Sequence, residues 1–237
     1  VQQGPTERNF HTFYQLLSKS ERARKLREEI GFGGAGGAGG ADGGVSVDPK
    51  DYDCLYKTGG CVSVPGMSEE EEFDDTLEAF ETLGFEREEI TGIYRIVGAI
   101  LHLGNVSFTE GDDYVKRESM SPRSETAAKH ASNLLMIGTD EMLQNVMAKT
   151  LYIGGSETIK NLSPIEANGA RDSMIKSLYG RLFDWIVRRV NTCMSMSDAS
   201  LKTSSKKLSP VRVVGILDIF GFEIFEHNSF EQLCINF

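Results

Sequence analysis

The sequence predicts a mainly α-helical fold with one buried β-strand near the end of the chain. Two observations predict the helices: serines followed three residues later by glutamate, which cap helix starts, and long segments whose apolar residues recur at helical spacing. The third observation is the apolar, β-branched run at residues 211–217, which is interrupted only by Arg212. Such a run is typical of a strand that is buried on both faces.

The first 44 residues predict two helices and a loop. Residues 6–17 carry apolar side chains at helical spacing, and residues 20–30 predict a charged helix that ends at Gly31. Residues 31–44 are rich in Gly and Ala, and part of this run matches the spacing of a nucleotide-binding glycine loop. No predicted strand precedes that run, so the sequence favours a flexible surface loop.

Two helices joined by a glycine turn are predicted next. Residues 68–83 begin with a Ser-x-x-Glu capping box, and Gly84 follows where a left-handed C-cap residue is expected. Residues 86–103 predict a second helix, which is apolar nearly all round and therefore buried. His102 is interpreted as a core residue and not as a metal ligand, because no second metal-binding residue has a suitable spacing.

The middle of the chain predicts a loop, two helices and a hairpin or exposed loop. Residues 108–123 are polar, and a helix over residues 122–136 starts with proline at its first position. A short helix is predicted over residues 140–149. Residues 151–161 contain two adjacent glycines and predict an exposed loop or a hairpin.

A long helix is predicted from Ser163 to about Cys193, because proline and glutamate follow Ser163 at capping positions. Its core face is predicted at Met174, Leu178, Leu182, Trp185, Ile186 and Val190. Residues 194–210 are rich in Ser and Lys and predict a linker. Ser229 and Gln232 have the spacing of a capping box at the start of a last helix.

Composition excludes several classes of function. The 237 residues carry a formal net charge of −10, which argues against nucleic acid and anionic membranes as main partners. No apolar run approaches the ~18 residues of a membrane-spanning helix. The four cysteines lack metal or redox spacing and are expected to be reduced thiols in a cytosolic protein. The chain starts without methionine and its buried strand needs neighbours, so we expect a fragment of a longer protein.

Two acids and a glycine follow the predicted strand at Asp218, Gly221 and Glu223. An acid at the carboxyl end of a buried strand lies where α/β sheets bind ligands, and a glycine lets the backbone approach a ligand closely. In a nucleotide-hydrolysing site, such residues supply a magnesium-shell carboxylate, a phosphate-sensing amide and a group that positions water. By composition alone, a buried strand followed by an ordinary turn would explain the same residues.

The wider string resembles a known family. Residues 217–237, LDIFGFEIFEHNSFEQLCINF, closely resemble the switch II loop and the start of the relay helix of myosin motors. Further blocks resemble myosin heads in the same order, at residues 7–17, 74–85, 96–106 and 170–191. The resemblance implies part of a P-loop NTPase-type α/β motor domain, consisting of the mostly helical upper fifty-kilodalton subdomain and switch II.

The resemblance also implies an organisation along the chain. Residues 1–30 would form the helices that follow switch I, and residues 45–193 would form the upper fifty-kilodalton subdomain. Residues 194–210 would be a linker, and residues 211–237 would form switch II and the start of the relay helix. The Gly/Ala-rich loop at residues 31–44 is not part of the family pattern. The phosphate-loop motif G-x-x-x-x-G-K-[ST] and switch I do not occur in the 237 residues, so we expect this chain by itself to be inactive.

The roles of the motif residues follow from the same resemblance. Asp218 would hold Mg²⁺ through water, and Ile219 would lie beside it in the nucleotide site. The amide of Gly221 would contact the γ-phosphate of ATP, and Glu223 would pair with a switch I arginine and orient the attacking water. The cofactors implied are ATP and Mg²⁺.

Two segments are implied to face actin. Residues 108–123, with Lys116 and Arg117, fall at loop 4, and residues 151–162 fall at the cardiomyopathy loop. The residues expected to face actin in the second segment are Tyr152, Ile153, Gly154, Gly155, Ser156 and Glu157. Counting back 16 residues from Asp172 places Ser156 at the family position that is either acidic or phosphorylatable. The alternative is that Glu157 supplies the negative charge.

The resemblance implies an actin-based cytoskeletal motor whose complete form is an actin-activated ATPase. Its partners would be the actin filament, the rest of the heavy chain and light chains or calmodulin, the last through regions that this chain does not contain. It would be located in the cytoplasm, on the cytoskeleton. The alternative is a non-catalytic helical interaction module derived from a myosin head. The presence of Asp218, Gly221 and Glu223 favours the motor.

Overall fold

The described residues form helices and one two-stranded antiparallel sheet. The computed structural model describes residues 8–33, 45–56, 61–109, 114–117, 120–153, 155–199, 221–225 and 228–237. The elements are α1 His11–Leu16, α2 Glu21–Ile30, a 3₁₀ turn Pro49–Asp51, α3 Asp53–Tyr56, α4 Glu69–Thr82, α5 Arg87–Gly104, α6 Pro122–Leu135, α7 Thr139–Met147, β1 Ala148–Ile153, β2 Ser156–Asn161, α8 Pro164–Ala199 and α9 Phe230–Asn236. The chain divides into two units, residues 1–197 and 198–237.

Local capping explains where most helices of the first unit begin and end. The Ser20 side chain accepts hydrogen bonds from the first turn of α2, and Gly31 ends that helix with φ +70°. At the start of α8, the Glu166 N–H donates to Ser163 Oγ and the Ser163 N–H donates to Glu166 Oε2. These two bonds form the capping box that the sequence predicts.

The first unit has two hydrophobic clusters, and α5 contributes to both. The first cluster joins α5 to α1, α2 and α4, and includes Phe73 against Tyr94 at 5.4 Å between ring centroids. The second cluster joins the end of α5 to α6, α7 and the first half of α8. The helix is therefore buried nearly all round, as its composition predicts.

His102 lies in this core, as predicted. Its side chain is buried, and its Nε2 lies 3.3 Å from the carbonyl oxygen of Phe32. Burial lowers the pKa of His102 to about 3, with a further decrease from the stacked ring of His130. The imidazole is therefore neutral at pH 7, and it acts as a packed core residue with a satisfied hydrogen bond.

Phe32 corrects one predicted boundary. The sequence predicts a surface loop from residue 31 onward, but the Phe32 ring is 2% exposed and packs against the rings of Tyr52 and His102. Gly98 on α5 permits this contact, since a Cβ built there would lie 2.8 Å from Phe32 Cδ2. The residue that follows the α2 cap is thus part of the core. Composition alone did not show this, because Phe32 is one aromatic within a glycine-rich run.

The long helix α8 differs from its prediction in two ways. It extends to Ala199, past the end predicted near Cys193. Trp185, predicted on the core face, is 41% exposed and lies edge-on to Phe85 at 6.2 Å, whereas Leu182 is buried as predicted. Helical periodicity identifies the apolar face of a helix. How much of that face is buried depends on which helices pack against it.

Arg189 links α8 to the turn between α4 and α5. Its guanidinium donates to both carboxylate oxygens of Glu89, at 2.6 and 3.0 Å, and to the Gly84 carbonyl at 3.0 Å. The hydrogen bonds from Arg189 lower the pKa of Glu89 below its ordinary value. Gly84 takes φ +79° at this turn, as the predicted left-handed C-cap requires.

The remaining predictions concern the short helix α7, the segments outside the described residues and membrane spans. The predicted helix over residues 140–149 ends at Met147, and β1 begins at Ala148, so the last two residues belong to a strand. The predicted buried strand at residues 211–217 lies outside the described residues, as do residues 34–44 of the glycine-rich loop and 200–210 of the linker. Within the part of the chain that the structure describes, no helix has the length and apolar character that a membrane span requires.

Candidate functional site

The second unit carries a glutamate loop that is tied to a helix. The N–H of Glu223 donates to Asn236 Oδ1 at 2.8 Å, and Asn236 Nδ2 donates to the carbonyl oxygen of Glu223 at 2.6 Å. One side-chain amide therefore satisfies both backbone groups of Glu223. The loop residue and the end of α9 are held at a defined distance by these two bonds.

Gln232 makes the third contact to the same residue. Its Nε2 donates to Glu223 Oε2 at 3.3 Å, and the Gln232 side chain is 9% exposed. The sequence predicts a capping box between Ser229 and Gln232, and this prediction is wrong. Ser229 is the N-cap residue of α9, but its side chain accepts no capping hydrogen bond from the helix backbone. The spacing of Ser229 and Gln232 did not show that the Gln232 amide contacts Glu223 instead of the start of α9.

Gly221 and Glu223 are the two predicted site residues that the structure describes in this loop. Gly221 is exposed, and no atom of the described residues lies within 4 Å of a Cβ built on it, so these residues leave its backbone open to an approaching ligand. Glu223 is half-buried, and its carboxylate is contacted by Gln232. Asp218 and Ile219 lie outside the described residues.

A magnesium site is not formed by the described residues alone. Among them, no three His, Cys, Asp or Glu side chains converge as a metal site would require. The Glu223 carboxylate accepts a hydrogen bond from an amide, which suits a group that positions water. The magnesium site that the sequence predicts would therefore need Asp218 and oxygen ligands from outside the described residues.

The second predicted site is an exposed hairpin. β1 and β2 pair antiparallel, with Ile153 opposite Ser156 and Tyr152 opposite Glu157. Gly155 takes φ +85° in the tight turn between the strands, a conformation that glycine adopts without strain. Its neighbour Gly154 lies outside the described residues. The hairpin confirms one of the two structures that the sequence left open at residues 151–161.

The register separates the two candidate acidic positions. Because successive residues of a strand point to opposite faces, Ser156 and Glu157 lie on different faces of the hairpin. Ser156 shares its face with Thr158 and Lys160. Glu157 shares the other face with Tyr152 and Ile159, whose side chains are 74% and 62% exposed.

The base of the hairpin is anchored to α8 by charge. Lys149 and Lys160 are directly opposite in the register, and both lie near Glu166 Oε1, at 3.7 and 3.6 Å. Like charges directly opposite in a sheet repel, and the Glu166 carboxylate offsets that repulsion. The same carboxylate caps α8, so it links the hairpin to the start of that helix.

Lys116 and Arg117 lie in the loop before α6. The Lys116 ammonium is 5.0 Å from the ring centroid of Tyr114. Arg117 pairs with Asp140 on α7 and lies 3.9 Å from Glu125 on α6. The N–H of residue 115 donates to the carbonyl of residue 162 at 2.8 Å, so this loop is bonded directly to the end of the hairpin. The structure thereby brings together the two segments that the sequence predicts to face actin.

The sequence analysis did not identify the contact of Asn236 with Glu223, and it assigned Gln232 to a capping box instead of to that contact. The signal that could have found them was their separation by four residues, which places both side chains on one face of α9. Polar residues on that face of a short amphipathic helix could have indicated a polar partner in the preceding loop.

The helical fold with its small sheet and its glutamate loop is consistent with the α/β class of motor domains. The chain belongs to the myosin head (motor domain) family, whose model matches residues 1–237.

Curated relatives agree with this assignment. The chain is similar to Myosin-2 heavy chain, non muscle, of Acanthamoeba castellanii, with 35% identity over 99% of this chain and 14% of that protein. It is similar to Unconventional myosin-Ig of Homo sapiens, with 35% identity over 98% of this chain and 21% of that protein. Myosin-8 of Arabidopsis thaliana is 36% identical over 97% of this chain and 14% of its own length. The chain thus spans between 14% and 21% of the length of these relatives.

Proposed function

We propose that this chain is part of an actin-based motor that couples hydrolysis of Mg·ATP to movement along actin filaments. The observation that carries the proposal is the Glu223 loop, in which the carboxylate is half-buried and held by a helix. A carboxylate in this setting can orient a water molecule toward a phosphate. Membership of the myosin head family supports the same assignment.

The motif residues divide the chemistry between them in this proposal. Glu223 orients the attacking water, and the open backbone of Gly221 donates its N–H to the γ-phosphate. Asp218, with Ile219 beside it, contributes to the nucleotide site and holds Mg²⁺, which neutralises developing charge on the phosphate oxygens. The 237-residue chain contains no phosphate-loop motif, so by itself it is expected to be inactive.

The hairpin and the neighbouring loop form the proposed actin-facing surface. Tyr152 and Ile159 give the hairpin an exposed apolar face, and Ser156 lies on the other face. Lys116 and Arg117 add basic groups from the loop that is bonded to the end of the hairpin. Actin, the rest of the heavy chain and light chains or calmodulin are the proposed partners, on the cytoskeleton in the cytoplasm.

The experiment that tests the function also tests Ser156. A phosphate on Ser156 adds roughly −1.5 to −2 charge at the hairpin turn. In the complete motor, the ATPase rate should rise with actin concentration. Ser156→Glu should behave as the phosphorylated protein does, and Ser156→Ala should lower the actin-activated rate by about 10-fold, within the range of electrostatic effects on association. Steady-state ATPase with and without actin is the measurement.

Three controls make this result specific. Thr158→Glu adds a charge to the same face two residues from Ser156, and it should not replace the phosphate. Phosphatase treatment of the wild type should lower its rate to that of Ser156→Ala. If all Ser156 forms have equal actin-activated ATPase rates and Glu157→Gln has a reduced rate, then Glu157 and not Ser156 has the regulatory role. A complete protein without ATPase activity would favour the helical interaction module.

A further inference from the structure

The contacts of Glu223 involve two residues of α9 that lie on one face of that helix. Gln232 and Asn236 are four residues apart, which places them one turn apart on the helix surface. Asn236 forms hydrogen bonds with the backbone of Glu223, and Gln232 donates a hydrogen bond to its carboxylate. Both the path of the main chain and the direction of the side chain at Glu223 are therefore set by α9.

The two-point contact of Asn236 restricts more than a single hydrogen bond would. The donor and the acceptor of Glu223 bond the same planar amide, at 2.8 and 2.6 Å, so the backbone on both sides of its Cα is held. The direction of the Cα–Cβ bond is then defined. The contact from Gln232, at 3.3 Å from Oε2, limits the remaining rotation of the carboxylate.

We propose that Asn236, assisted by Gln232, is a positioning residue for Glu223. This inference rests on the proposed function, in which the Glu223 carboxylate orients the attacking water. The two amides act through Glu223 and not on the nucleotide itself. They hold the carboxylate where the water must lie, and a displacement of about 1 Å in such a group can cost a hundredfold in rate. Without the Asn236 amide, the backbone of Glu223 is no longer held, and the contact from Gln232 is the one that remains of the three.

The same loop contains a matched control. Asn228 makes the same pair of bonds to Phe225, with the Phe225 N–H donating to Oδ1 at 3.0 Å and Nδ2 donating to the Phe225 carbonyl at 2.6 Å. These two hydrogen bonds are exposed, and they hold Phe225, whose side chain has no carboxylate. Replacement of Asn228 by alanine removes identical bonds nearby without releasing Glu223.

The experiment uses the complete motor with four variants: Asn236→Ala, Asn236→Asp, Gln232→Met and Asn228→Ala. Asn236→Asp is nearly isosteric and keeps an acceptor for the Glu223 N–H, but it loses the donor to the Glu223 carbonyl. The binding rate of a fluorescent ATP analogue and the melting temperature report nucleotide binding and folding. The rate and amplitude of the phosphate burst, measured by quench-flow, report hydrolysis.

The expected result separates binding from chemistry. Asn236→Ala and Asn236→Asp should bind the ATP analogue at the wild-type rate, with burst rates lowered about 100-fold. Gln232→Met should lower the burst rate about 10-fold, because one hydrogen bond to a charged group is lost. Asn228→Ala should give a wild-type burst. A purely structural role would instead lower the melting temperature and slow binding and hydrolysis together.

The outcomes distinguish this inference from the proposed function. If Glu223→Ala abolishes the burst while both Asn236 variants hydrolyse at the wild-type rate, the positioning role is wrong and the function stands. If Glu223→Ala itself gives a normal burst, the proposed function of the loop has failed. Slow hydrolysis in Asn228→Ala, equal to that in Asn236→Ala, would also overturn the inference, because general loosening of the loop would then suffice.

Discussion

Replacement of Glu223 by alanine in the complete motor is expected to abolish the phosphate burst while ATP still binds. Hydrolysis requires a water molecule held in line with the γ-phosphate and a site from which bulk water is excluded. In the proposed function the Glu223 carboxylate holds that water, and it is half-buried and accepts a hydrogen bond from Gln232. The loss should be ~100-fold or more, as for other single positioned catalytic groups.

Binding should survive this change because the phosphate loop and magnesium make most contacts to the triphosphate in the family. The variant should therefore still release actin when ATP is added. Quench-flow measurement of the phosphate burst is the decisive assay, with release of actin followed by light scattering. A normal burst in Glu223→Ala would show that Glu223 is only a structural carboxylate.

Glu231→Ala is the matched control for this experiment. Glu231 is an exposed acid on α9, and its carboxylate accepts a hydrogen bond from Ser229, which lowers its pKa. The two carboxylates thus lie in the same unit, but Glu231 is held at the start of the helix and has no place in the proposed water-positioning group. Glu231→Ala should therefore give a wild-type burst.

Replacement of Gly98 by alanine is expected to destabilise the first unit, whereas the same change at Gly92 should stabilise it. Both glycines lie on α5, so both changes gain about 0.5–1 kcal/mol of helix preference. A Cβ at Gly98 would lie 2.8 Å from Phe32 Cδ2 and 3.3 Å from Leu134 Cδ1, and both side chains are buried. Overpacking of this kind costs about 1–3 kcal/mol, which outweighs the gain.

Gly92 is the matched control because no atom of the described part of the chain lies within 4 Å of a Cβ built there. Chemical denaturation followed by circular dichroism should separate the free energies of unfolding of the two variants by about 1–3 kcal/mol, the cost of overpacking, because the gain in helix preference is the same in both. Phe32→Leu should reduce the cost of Gly98→Ala, because a smaller side chain leaves room for the added methyl group. Equal stability of the two variants would contradict the close contact between α5 and Phe32.

The cap positions were predictable because capping depends on residues close together in the chain. Ser20 caps the start of α2 and Gly31 caps its end. Ser163 and Glu166 form the capping box at the start of α8, as their spacing predicts. The capping prediction failed at Gln232, whose spacing fits a box equally well. There, the competing partner was a glutamate nine residues earlier, and local spacing carries no information about a partner in another segment.

Burial was predictable for α5 and only in part for α8. A helix that is apolar on all sides has no polar face to turn toward water, so the composition of α5 was sufficient to predict its burial. On α8, Leu182 is buried while Trp185 remains 41% exposed, although both follow the same periodicity. Packing partners distant in sequence decide which part of an apolar face is covered, as the contact of Phe32 with Gly98 also shows.

The sequence by itself determined the helical class, most helix ends and the family, because these depend on local spacing and on a string of matching residues. Only the tertiary structure decided that Asn236 and Gln232 hold Glu223, and that Ser156 and Glu157 lie on opposite faces of a hairpin. The physical reason is that these relationships are set by hydrogen-bond partners and strand register. Both arise only when separate segments of the chain come together.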